Sequence, residues 1–323
     1  MSKRLLAGLS LTTLALFAIH GLGCAAKSSV RTGSSDAIAQ AAASEGARTA
    51  EVYRAAGPYA EAKCQGLLTK DVGLEEERAI GGVVWASLIR PPADKSPAAL
   101  PEPPPDGLSA RVSMVGNKLA RLSSRPDLPW TFAVIQSEAV DAFSAPGGYV
   151  GVTTALLEKV SKEAQLAGVL AHEIGHVERN HVLFKYREGK NRQCVAANTA
   201  AYLIEHGGFS NPAMAQMATY ARQLDGTTQV DASQQKFLTF VMNAFLLQLL
   251  RMGNAPEVEF ETDQTAFELL TLAGYDSTEY EKLLGSKGSE GSGLVSKHPP
   301  TEDRVAKLKA LREAKRKDVR KKR

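Results

Sequence analysis

Residues 172–176 read His-Glu-Ile-Gly-His, and the twelve residues before them have the pattern of an uninterrupted amphipathic helix. Four residues along a helix amount to about 40° beyond a full turn, so His172 and His176 share one face. Two neutral imidazoles so placed can hold one zinc ion without cancelling its charge. Glu173 lies about 100° from His172 and about 60° from His176, within reach of a water on the open side of the metal. Zinc would bring such a water towards a pKa of about 7 and polarise a carbonyl oxygen. Glu173 would take the proton and later hand it to the leaving amine. That chemistry is hydrolysis of a peptide bond. The competing reading is a helix whose two histidines are merely capped or solvated.

A catalytic zinc needs a third protein ligand and one open position. Residues 256–263, Pro-Glu-Val-Glu-Phe-Glu-Thr-Asp, open a second apolar-periodic stretch that runs through Phe267, Leu269, Leu270 and Leu272. Pro256 suits the first turn of a helix, and the carboxylates suit its positive end. Glu259 and Asp263 are four apart and point one way. Glu259 could complete a two-His, one-Glu site, and Asp263 could orient a ligand imidazole. Otherwise the acids only complement the helix dipole.

The stretches Leu-Ala-Gly-Val-Leu-Ala-His-Glu-Ile-Gly-His-Val (166–177) and Glu-Phe-Glu-Thr-Asp (259–263) resemble the membrane-associated zinc endopeptidases of the HtpX and CAAX prenyl protease type. Asp-Ala-Phe-Ser-Ala-Pro-Gly-Gly-Tyr-Val (141–150), Ala-Gly-Tyr-Asp (273–276) and His-Pro-Pro-Thr-Glu-Asp-Arg (298–304) fit the same pattern, so the resemblance covers roughly residues 107–312. That family usually has Asn where Asp141 stands and Ala where Thr262 stands. The resemblance implies a zincin-like domain with one zinc ion held by His172, His176 and Glu259, with Glu173 as base and Asp263 as support. For His298 it leaves three roles open: an inhibitory ligand of the open site, a stabiliser of the tetrahedral intermediate, or a His-Pro turn that starts the last helix. Arg304, one turn inside that helix, is expected to neutralise an Asp or Glu near the site, the alternative being that it only sits on the helix surface.

The elements around these residues read as mainly α with a small β-sheet (α+β). Thr131–Gln136 alternates as a strand. The segment 147–154, bounded by Gly147 and Gly148 and containing Tyr149, reads as a second strand. Its edge is expected to pair with an extended substrate backbone, or else to pack Tyr149 and Val152 as an ordinary hairpin. Between the metal helices, Phe237–Met252 is nearly all apolar but contains Gln248 and Arg251. It fits a packed helix better than a membrane-facing flap or a span. Gly285–Gly293, rich in Gly and Ser, would let the His298 segment swing away from the metal.

Lys3 and Arg4 precede an apolar run from Leu5 to Ile19 and then Gly21-Leu22-Gly23-Cys24, which reads as a secretory signal over 1–23. Gly23-Cys24 resembles a bacterial lipoprotein box with Cys24 as the acylated residue; simple cleavage after Ala26 is the alternative. Residues 24–106 would then be a tether, short helices and a proline-dense linker, ahead of a peptidase domain at 107–312 and a basic tail at 313–323. Cys64 and Cys194 remain, either joined in an oxidising compartment or separately buried. The chain carries +4 overall, yet residues 302–323 alone carry +7. Such a tail suits anionic lipid headgroups, although its last ten residues read best as a frayed, solvated helix end, and an exported protein is not expected to meet nucleic acid. These features place the chain on the periplasmic side of a bacterial envelope, acting on unfolded or misassembled polypeptides. A zinc-bearing chaperone or assembly factor with little turnover is the alternative.

Overall fold

The structure, a computed structural model, describes residues 35–89, 107–208, 211–224, 254–286 and 301–321. The signal segment, Cys24, the proline-dense stretch 90–106, Phe237–Met252 and His298 lie outside the described residues, as does most of the Gly285–Gly293 loop. The chain divides into two compact units, Met1–Glu51 and Val52–Arg323. Helices dominate: α1 (Ser35–Cys64), α2 (Gly66–Thr69), α3 (Leu74–Leu88), α4 (Leu108–Ala120), then strands β1 (Thr131–Ile135), β2 (Ala142–Ala145) and β3 (Tyr149–Thr153). There follow α5 (Thr154–Lys159), α6 (Glu163–Glu178), α7 (His181–Gly207), α8 (Pro212–Leu224), α9 (Pro256–Ala273), α10 (Ser277–Leu284) and α11 (Thr301–Lys321). Among the described residues, no helix is long and apolar enough to cross a membrane.

Helix α6 carries His172 and His176, and every residue from Leu166 to Val177 is buried. The expected amphipathic helix is therefore a central one. Packing on several sides removes the solvent face: α4, α9 and α10 all press against it, and β2 lies alongside. Gln165 fixes its start, accepting from the backbone N–H groups of Ser161 (3.0 Å) and Lys162 (3.3 Å). At Gly175 a Cβ would sit 3.0 Å from the Thr262 side chain. The missing methyl lets α9 approach closely enough for Glu259 to reach the histidines. Helix α9 begins with Pro256 at its first turn and ends on Gly274 at φ 76°, as its composition dictates. Leu272, counted by periodicity with the core, is 65% exposed. It falls in the last turn, past the residues that α6 covers.

The sheet order is β1-β3-β2, with β3 parallel to β1 (Thr131↔Tyr149) and antiparallel to β2 (Ala145↔Tyr149). This corrects the expectation of a free edge at 147–154. Strand β3 spends its backbone groups on both neighbours, whereas Gly147 and Gly148, at φ 80° and 91°, form the β2–β3 turn. Among the described residues the edge beside the metal helix belongs to β2.

Residues before the linker are more structured than composition suggested. The Ala-rich stretch expected as a tether is helical from Ser35, because Ala is the strongest helix former even where it has little to bury. Ala56, Ala60 and Cys64 form a buried stripe on α1, and Cys64 is joined to Cys194 of α7 in a disulfide. Helix α3 backs the β2–β3 turn. Buried Glu77 accepts from the Gly147 N–H (2.8 Å) and takes both Arg125 nitrogens (2.9 and 2.6 Å), while Arg125 also donates to the Val177 carbonyl (3.3 Å) at the end of α6. Arg78 donates to the Gly147 carbonyl at 2.9 Å. One carboxylate thus ties α3 to the turn and, through Arg125, to the metal helix. Replacing it, Glu77→Ala, removes the carboxylate that Arg125 pairs with, leaves the Gly147 amide without its acceptor and should cost about 3 kcal/mol of unfolding free energy. Urea titration of the full chain would measure this, and a change within 0.5 kcal/mol (roughly the spread of a neutral surface substitution) would contradict it.

Candidate metal centre

His172 and His176 stand one turn apart on α6 with their Nε2 atoms 3.2 Å from each other. Glu259 comes in from α9, with Oε2 3.2 Å from His172 Nε2 and Oε1 3.5 Å from His176 Nε2. All three side chains are buried. Zinc–ligand bonds of about 2.0–2.2 Å at tetrahedral angles require donors about 3.3–3.5 Å apart, which is the spacing present. The charges agree as well. Glu173, Glu259 and Asp263 are buried beside a single buried guanidinium, Arg304, a surplus of negative charge that a divalent cation would balance. The donor set therefore fits a metal.

Each ligand is held from behind. Asp263 Oδ1 lies 3.0 Å from His172 Nδ1, and Arg304 grips the same carboxylate through Nε and NH2, both at 2.7 Å. Tyr280 adds a phenol 3.2 Å from Asp263 Oδ1. Burial, reinforced by the charge of Asp263, keeps that phenol protonated well above its usual range, so it serves as a donor. Burial by itself would raise the Asp263 carboxyl. Its bonds to Arg304 and His172 outweigh that and hold it at about 2. Arg304 thus neutralises an acid at the site, as its position in the last helix suggested.

His176 leans on a residue that sequence reasoning missed. His181 Nδ1 lies 2.9 Å from His176 Nδ1. Asn180, at φ 57°, ends α6 in the left-handed region that Asn tolerates, and the reversal returns His181 to its neighbour. Burial lowers the His181 pKa, so a neutral ring is available to accept the His176 Nδ1–H and leave Nε2 free for a metal. Asn254, just before Pro256, donates to Glu259 Oε1 at 2.6 Å. Ser144 on β2 donates to Glu173 Oε2 at 2.8 Å. The only signal for these three was that they carry polar side chains near motif residues; their pairing is tertiary. Gly147, Gly148 and Tyr149, expected to bind a substrate strand, instead shape the β2–β3 turn, where Tyr149 stacks on Trp85.

Residues 108–312 match peptidase family M48, which is more than half of the 323-residue chain. The chain belongs to that family of metallopeptidases. Over 205 residues it is 26% identical to the beta-barrel assembly-enhancing protease of Escherichia coli (strain K12), covering 62% of this chain and 38% of that protein. It is 27% identical over 203 residues to the mitochondrial metalloendopeptidase OMA1 of Arabidopsis thaliana, covering 60% and 35%. A protease HtpX homolog of Acaryochloris marina is 26% identical over 220 residues, covering 59% of this chain and 69% of the homolog. The chain thus spans little more than a third of the length of the assembly-enhancing relatives. Helices α1 and α3 precede the M48 stretch, yet α3 is bonded into it.

Two outcomes follow for metal uptake. Burial and the Arg304 charge push the His172 imidazole down, but the carboxylates of Asp263 and Glu259 on either side outweigh them and raise it to about 9. A metal binding at this centre must then displace a proton from His172 at any pH below about 9. Affinity should climb about tenfold per pH unit from 6.5 to 8.5, measured by chelator competition; a flat profile would contradict the proton count. Asp263→Asn keeps the shape of the side chain but removes its charge, and should weaken metal binding by about 10- to 100-fold in the same assay.

Proposed function

We propose that this M48 chain is a zinc-dependent endopeptidase that cuts misfolded or stalled proteins of a bacterial envelope. The observation that carries this reading is the convergence of His172, His176 and Glu259 at tetrahedral donor spacing with Glu173 on the same helix. A zinc ion held there would polarise the scissile carbonyl and acidify the attacking water. Glu173 takes the proton from that water and returns it to the leaving nitrogen. His172 and His176, oriented by Asp263 and His181, would present Nε2 to that ion once His172 has given up its proton.

Strand β2 gives the substrate a place. It pairs with β3 on one side only among the described residues, and Ser144 lies along it in contact with Glu173. An extended peptide added to this edge would bond through its backbone, with little dependence on side chains, which suits unfolded clients of varied sequence. The name of the Escherichia coli relative, beta-barrel assembly-enhancing protease, joins protease activity to beta-barrel assembly, which favours an envelope role. Acylation of Cys24 and the basic C-terminal residues would hold the enzyme at the periplasmic face of a membrane. The disulfide between Cys64 and Cys194 is compatible with an oxidising compartment.

The test is purified full chain, zinc-loaded, digesting casein with and without a chelator. Glu173→Gln should retain the metal and lose turnover by about a thousandfold. Absence of chelator-sensitive cleavage in the unaltered protein would overturn the reading. A Glu173→Gln chain that still rescued envelope defects in cells would point instead to a zinc-bearing assembly factor.

A further inference from the structure

We infer that Ser144 is a positioning residue for Glu173: its hydroxyl fixes the base from the substrate edge of the sheet. The inference rests on the peptidase reading and adds a residue to it. Ser144 Oγ lies 2.8 Å from Glu173 Oε2, and both side chains are buried, at 8% and 4% exposure. Among the described residues this is the one hydrogen bond that the Glu173 side chain makes. The three metal ligands are each steered by a partner behind them, and Ser144 supplies the same service to the residue that moves the proton.

The geometry gives the contact a specific consequence. A glutamate has three side-chain torsions to freeze, and a base that wanders among rotamers delivers its oxygen to the water for only part of the time. Engaging Oε2 fixes the carboxylate plane and leaves Oε1 to receive the proton. Ser144 also lies on β2, the strand to which an extended peptide would add. Strand β2 is itself held from behind, since the turn that follows it is bonded to Glu77 and Arg78 of α3. The base is therefore referenced to the strand that positions the scissile bond, rather than only to its own helix. A hydroxyl is the smallest group that can do this. It donates one bond, carries no charge to offset the carboxylate, and fits a buried strand position.

The experiment compares wild type, Ser144→Ala and Ser144→Thr as full-length, zinc-loaded proteins. They are assayed on a quenched fluorescent peptide carrying a cleavage site found in casein, with zinc stoichiometry and Tm measured in parallel. Ser144→Ala should lower kcat about tenfold, the order expected for one hydrogen bond to a charged group, with KM and zinc content unchanged and the protein still fully folded at the assay temperature despite a lowered Tm. Ser144→Thr, which keeps the hydroxyl, should recover most of the rate. Wild-type kcat in Ser144→Ala would overturn the assignment. So would a loss that follows zinc content or the unfolded fraction at the assay temperature, which would mark a structural role, or a folded, zinc-replete Ser144→Thr as slow as Ser144→Ala. Failure of the underlying reading looks different: the wild-type protein itself would show no chelator-sensitive cleavage.

Discussion

The fold is organised around a buried surplus of negative charge. Glu173, Glu259 and Asp263 are withdrawn from water against the single guanidinium of Arg304. Each ion so buried costs several kcal/mol unless it is compensated. Hydrogen bonds from Ser144, Asn254 and Tyr280 meet part of that demand, and a divalent cation between His172, His176 and Glu259 would meet the rest. The constraint explains why α6 is the innermost element. Only a helix covered on all sides can keep solvent from screening the charges that make a metal centre reactive.

Assembling that cluster requires elements far apart in the chain. The histidines come from α6, the third ligand and Asp263 from α9, the compensating cation from α11. Close contact between α6 and α9 depends on Gly175, and the docking of α11 on the apolar side chains Val305, Leu308 and Leu311, which pack on the main core. Helix α11 is therefore more than a carrier of basic residues. Its first turns deliver Arg304 into the centre while its later turns present lysines and arginines to solvent. The second set of contacts, from α3 through Glu77 and Arg125, reaches the C-terminal end of α6 at Val177, one residue past His176. The metal helix is thus fixed at its ligand-bearing face and at its C-terminus by independent groups.

What could be read from the sequence was what depends on local periodicity. Positions four apart on a helix face revealed the His172–His176 and Glu259–Asp263 pairs, and the start at Pro256 followed from backbone preferences alone. Whether a strand lies at the centre or the edge of a sheet is decided by which other strands arrive, so Tyr149–Thr153 could not be placed by its own alternation. Leu272 shows the same limit, since helical spacing assigns a face but not how far a neighbouring helix extends over it. His181 is instructive in another way. Its separation of five residues from His176 fits no continuous helix, and only the left-handed Asn180 brings the two rings together.

The two ligand histidines end up with unlike supports, and this bears on how the centre works. His172 is backed by a carboxylate held ionised by Arg304, so electron density is pushed towards its Nε2 and the ligand is strengthened. His176 is backed by the neutral ring of His181, which fixes orientation without adding charge. Were both backed by carboxylates, the buried negative surplus would grow and the cation would be more fully neutralised, weakening its pull on a carbonyl oxygen. One charged and one neutral support hold both rings in place and would leave a bound cation short of electrons. That compromise suits a site whose proposed task is to polarise a peptide bond rather than to store an ion.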